Sequence, residues 1–139
     1  MLNENGKRRF LKYWRCFEKL STWHHLSNPI SHYKSLMFLD ILQLTMLMPF
    51  ILRHFLTPTD ITPSELKALC NHLSSADGRR ISPGQAIYSI ISCWVIVADA
   101  AVYCFKLKLT TPDLSHLQDI LMEECHILIQ VIFKYIKML

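Results

Sequence analysis

The chain has 139 residues, 51% of them hydrophobic and 19% charged, with a net charge of +4. That length suits one domain with its own core, and that composition excludes disorder. Three glycines are too few for a nucleotide-cradling protein, and the positive charge is mild, its excess clustered at Lys7, Arg8, Arg9, Lys12 and Arg15.

The five cysteines are odd in number and irregular in spacing, without a C-x-x-C pair. The first twelve residues are polar and basic and lack the apolar run of a signal peptide. Both features point to an intracellular protein, nuclear or cytoplasmic, with reduced cysteines in its core. The expected architecture is all-α, an irregular bundle of about five helices over residues 1–139. The chain reads as a single helical domain or as a piece of a larger protein.

Proline placement organises the chain. Proline suits the first helical position, where its missing N–H has no partner to lose, and a preceding Asn, Ser or Thr caps the next donors. Asn28-Pro29, Thr62-Pro63, Ser82-Pro83 and Thr111-Pro112 all fit. Thr62 with Glu65 and Ser82 with Gln85 add the reciprocal capping-box spacing.

The first helix is expected over 5–25. Phe10, Trp14, Phe17 and Leu20 or Ser21 form its apolar side, and Arg8, Lys12, Arg15 and Lys19 the opposite stripe. A second helix is expected from 29 to 56, with Pro49 kinking or splitting it. Residues 57–61 read as a linker. A short third helix, 63–73, closes into the polar turn 74–78. A fourth helix runs from 83 to 107 and a fifth from 112 to 137. In the fifth, acids lead and lysines trail, as the helix dipole favours.

The fourth helix poses the main question. Ala86 to Phe105 is an apolar stretch of spanning length with one formal charge, Asp99, and basic flanks at Arg79, Arg80, Lys106 and Lys108. Residues 36–56 form a second apolar run. Gln85, Ser89, Ser92, Asp99 and Tyr103 make a narrow polar line along the fourth helix, as on a central helix touching neighbours on most sides. Each run contains an Asp, which costs at least about 2.5 kcal/mol inside a bilayer. The soluble reading is therefore preferred, and one or two spanning helices (86–105, 36–56) remain the alternative.

No catalytic or cofactor constellation emerges. Cys70 with His72, Cys125 with His126, and the pair His24-His25 lack the second pair that a structural zinc site needs. Cys70 and His72 at i and i+2 point in different directions on a helix. Asp119, Glu123 and Glu124 read as a solvated helix face, and no phosphate-loop or G-x-S-x-G motif occurs. No metal, cofactor or catalytic residue is assigned. Arg8, Lys12, Arg15 and Lys19 remain as a surface for nucleic-acid phosphates or an anionic membrane, weighed against an ordinary solvated stripe.

Four strings carry a resemblance: PISHYKS at 29–35, LMPFILRHFL at 47–56, ISCWV at 91–95 and LTTPDL at 109–114. Together they resemble the helical C-terminal region of fungal transposon-encoded proteins of the transposase type, over roughly residues 29 to 133. Such transposases hold metal ions with acidic residues on a ribonuclease-H-like sheet, and nothing in this chain reads as that sheet. The resemblance implies a non-catalytic, transposon-derived helical remnant that associates with itself or with another helical chain. The leading expectation is thus a protein-interaction module without enzymatic activity. A membrane-associated protein and a nucleic-acid-binding domain using the first helix are the alternatives.

Overall fold

A computed structural model describes residues 2–16, 28–30, 36, 38–106 and 108–131, the side chains of 75–77 and 124–131 excepted. The described residues form five α-helices: α1 (Glu4–Cys16), α2 (Phe38–Phe55), α3 (Pro63–Asp77), α4 (Pro83–Cys104) and α5 (Thr111–Val131). A 3₁₀ turn, Pro58–Asp60, links α2 to α3. The chain is an all-α bundle, as the proline pattern implies.

The starts of the helices show which caps work. At α4, Gln85 N–H donates to Ser82 Oγ at 3.3 Å and Ser82 N–H donates to Gln85 Oε1 at 2.8 Å, with Pro83 in the first turn. The expected box is formed there. At α3, Thr62 is the capping residue but its side chain makes no capping hydrogen bond. At α5 the cap is one residue earlier than expected. Thr110 N–H donates to Asp113 Oδ2 at 3.0 Å, and Asp113 N–H donates to Thr110 Oγ1 at 3.3 Å. An acid at the third helical position closes this box, so Thr110 displaces Thr111.

Other boundaries also move. Asn28-Pro29 makes a local turn in which Ile30 N–H donates to Asn28 Oδ1 at 2.9 Å, and α2 begins only at Phe38. An Asn side chain satisfies such a turn as readily as it caps a helix. Pro49 is buried inside α2 and does not split it. α3 continues through the expected polar turn to Asp77 and stops at Gly78, whose φ of 66° favours a residue without a Cβ. The first helix is described to Cys16; Phe17, Lys19, Leu20, Ser21 and the rest of 17–27 lie outside the described residues, as do 132–139.

The core joins four helices. Phe10 and Trp14 of α1 meet Leu47, Ile51, Leu52 and Phe55 of α2, and α3 and α4 add Leu69, Leu73, Ala86, Ile87 and Ile90. Phe55 is fully enclosed and stands edge-on to Phe10, ring centroids 5.6 Å apart. Among the described cysteines only Cys93 is buried; Cys16 and Cys104 are exposed and Cys70 is half-buried, so the expected all-core placement fails. None of the four is joined in a disulfide among the described residues.

α4 is the hub, packing on α2, α3 and α5. It is nonetheless not enclosed. Its buried residues are Ala86, Ile87, Ile90, Cys93 and Ala100, all on one side. Tyr88, Val95 and Val102 stand open on the other.

Candidate functional site

Three surfaces warrant description, beginning with the basic face of α1. Its inner side is fixed with unusual closeness. Asn3 caps the helix, accepting from Gly6 N–H at 2.8 Å through Oδ1. The same side chain donates through Nδ2 to Thr59 O at 2.7 Å, and Asn3 N–H donates to Asp60 O at 2.9 Å. Leu2 and Ile61 form an isolated antiparallel bridge beside it. Asp60 has no solvent exposure, and Arg9 Nη1 donates to its two oxygens at 2.9 and 2.7 Å. Thr57 completes the carboxylate's partners through its N–H and hydroxyl, at 2.9 and 2.6 Å from Oδ2. A carboxylate this buried requires such pairing.

With Arg9 and the aromatic side turned inward, Arg8, Lys12 and Arg15 project outward and are exposed. They stand at i, i+4 and i+7, hence on one face. None of the three forms a salt bridge among the described residues. Lys7 is bound to Glu4 at 2.8 Å, and that hydrogen bond, ahead of the charges of Lys7 and Arg8, lowers the Glu4 pKa. Lys19, the fourth expected member, lies outside the described residues. Arg79 and Arg80 are exposed between α3 and α4, whereas α1 packs on α2 and the 3₁₀ turn.

The second surface is the outer face of α4. Tyr88 is 68% exposed, Val95 48% and Val102 44%, and half-buried Ile91 and Ala98 alternate with them. Phe105, 51% exposed just beyond the helix, lies against Phe38 at the start of α2, ring centroids 5.5 Å apart. Contiguous exposed apolar area of this kind marks a binding surface or a membrane contact. α2 and α4 are both long and apolar enough to cross a membrane.

α5 lies along α4 and its composition bears on that choice. His116 Nε2 is 3.9 Å from Asp99 Oδ2, and the His116 ring stands edge-on to Tyr103 at 4.8 Å. At the connecting turn, Lys106 Nζ donates to Asp113 Oδ1 at 2.6 Å and sits 4.2 Å above the Tyr103 ring. The Lys106 bond, followed by the Thr110 donors, depresses the Asp113 pKa to about 2, and the same bond raises that of Lys106. Asp119 and Glu123 are exposed further along α5, the solvated face expected of them.

The third surface is an open groove of about 620 Å³ beside α3, lined by Leu66, Lys67, Cys70, Asn71, Arg80 and Ile81 among others. His72 is not among the residues that line it with Cys70. Among the described residues no three His, Cys, Asp or Glu side chains converge as a metal site would need.

The buried Asp60 and the open α4 stripe both escape a reading for motifs. Thr57-Pro-Thr-Asp60 has the cap-and-acid spacing seen at Thr110, but in a segment too short to attract notice. The α4 stripe hides because its residues are as apolar as the core side of the same helix. No family model, curated protein or solved structure matches the chain.

Proposed function

We propose that the chain is a non-enzymatic, intracellular helical interaction module whose docking surface is the open face of α4 and the adjoining start of α2. The observation that carries this reading is the run of exposed Tyr88, Val95, Val102 and Phe105 on a helix whose other side is core. A protein partner covering that face would remove it from water at about 25 cal/mol per Å². Spanning helices receive less support, because α5 packs along α4 and carries exposed Asp119 and Glu123 with it. Placing α4 across a bilayer would draw those charges, and Asp99, toward hydrocarbon. Descent from a transposon-encoded helical region belongs to the same proposal and rests on the four sequence strings alone.

Detergent-free extraction tests it. The expressed chain is expected in the supernatant, with Val95→Arg equally helical and binding less of a hydrophobic dye. Recovery only from the membrane pellet would overturn the reading.

A second reading draws on the exposed cations of α1. Arg8, Lys12 and Arg15 on one face fit a phosphate backbone. Three phosphate contacts predict that log affinity for duplex DNA falls against log salt with a slope of about −2.7. Affinity that is unchanged by the triple alanine variant would remove this reading.

A further inference from the structure

We infer that the occupant of the open α4 face is the same face of a second copy of this chain, the two α4 helices lying antiparallel about a two-fold axis. The inference rests on the reading of that face as a docking surface and names what docks there. Tyr88, Ile91, Val95, Ala98, Val102 and Phe105 follow one another at intervals of three and four residues. That is the spacing with which one helix meets another in knobs-into-holes packing. Three of these are valine or alanine, small enough to let two backbones approach.

Self-complementarity selects the partner. About a dyad between residues 96 and 97, Val95 faces Ala98 of the second copy, Ile91 faces Val102, and Tyr88 faces Phe105. Every layer then pairs side chains of graded size, small at the centre and aromatic at both ends. A parallel pair would instead place Ala98 on Ala98 and leave a void in the seam, which close-packed interfaces avoid. Antiparallel helices also oppose their dipoles. At each end Phe38, 69% exposed beside Phe105, extends the aromatic cluster over the second copy's Tyr88.

Area points the same way. An aromatic side chain presents about 150–250 Å², so Phe38, Tyr88 and Phe105 at their present exposures leave on the order of 400 Å² open. Val95 and Val102, 48% and 44% exposed, bring the patch to on the order of 550 Å² per copy. That lies at the upper end of the largest patch of a typical monomer, about 300–600 Å². Two copies together would bury on the order of 1,100 Å², just above the roughly 1,000 Å² expected of a specific interface.

Sedimentation equilibrium of the full chain tests the inference. At about 100 µM, tenfold above a dissociation constant of ~10 µM, the expected weight-average mass is about 1.8 times 16.3 kDa. Val95→Arg places two cations across the dyad and is expected to weaken association at least ~100-fold with unchanged helicity. Val102→Glu serves as an independent variant should the first fail to fold. A photoreactive benzoylphenylalanine in place of Tyr88 is expected to crosslink near residue 105 of the second copy. Crosslinking at residue 88 would overturn the antiparallel arrangement. A monomeric wild type overturns the second copy as occupant. If carbene footprinting of that monomer labels Tyr88 and Phe105 freely, the docking-surface reading stands with another occupant. If they are protected in the monomer, both readings fall.

Discussion

Replacing Gly6 with alanine sets two physical rules against each other. Gly6 lies in the first turn of α1, and helix propensity alone predicts that alanine there stabilises the helix by up to about 1 kcal/mol. The structure predicts the opposite sign. A Cβ built on Gly6 would stand 2.3 Å from the backbone oxygen of Asp60 and 3.0 Å from the Asp60 Cβ. The nearest atom is backbone, so no rotamer change relieves the contact. α1 and the 3₁₀ turn must separate by about 1 Å to restore ordinary packing distance. That movement stretches the Asn3–Asp60 backbone hydrogen bond, at 2.9 Å, and the two Arg9–Asp60 contacts beside it. Overpacking costs about 1–3 kcal/mol, and the weakened hydrogen bonds add about 1 kcal/mol. A net loss of about 2 kcal/mol is expected after the propensity gain. Urea denaturation of Gly6→Ala against wild type, followed by far-UV circular dichroism, measures it. A midpoint equal to or above wild type would refute the close-approach argument.

The Arg9–Asp60 pair should respond asymmetrically. Arg9→Met strands a carboxylate with no exposure and should cost about 3 kcal/mol, whereas Asp60→Asn leaves a guanidinium that is already 35% exposed and should cost less; the same urea assay ranks them. Gln43 is 6% exposed and its Oε1 has no hydrogen-bond partner among the described residues. Gln43→Leu should therefore raise the thermal midpoint, by an amount equivalent to about 1 kcal/mol. Asp113 has a folded pKa near 2, below the unfolded value of about 3.9. Its contribution is present above the unfolded value and is lost as pH falls from about 4 through 2. Carboxyl chemical shifts followed through that window should show Asp113 titrating near 2, and Lys106→Met should move the titration upward.

The helices were legible because local chemistry decides them. Ser82, Pro83 and Gln85 act within one turn, so their meaning survives without knowledge of the rest of the chain. Asn28-Pro29 misled for the same reason: an Asn turn and an Asn cap use the same side-chain oxygen, and only the following backbone distinguishes them. The basic face of α1 was legible as far as Arg15 because period alone places Arg8, Lys12 and Arg15 together. Asp60 was not, since its role depends on Asn3, Gly6 and Arg9, about fifty residues away in sequence. The open side of α4 was equally hidden. Val95 and Ile90 are interchangeable by hydropathy, and only the placement of α2, α3 and α5 around the helix determines which of them meets water.

The buried Asp60 has one more effect. Successive helical residues are turned by about 100°, so gripping Arg9 fixes the rotational phase of all of α1. Arg8, Lys12 and Arg15 thus take their bearing from a carboxylate that none of them touches. Loosening residues 57–61 would leave every cation in place in the sequence and yet blur the direction in which all three point.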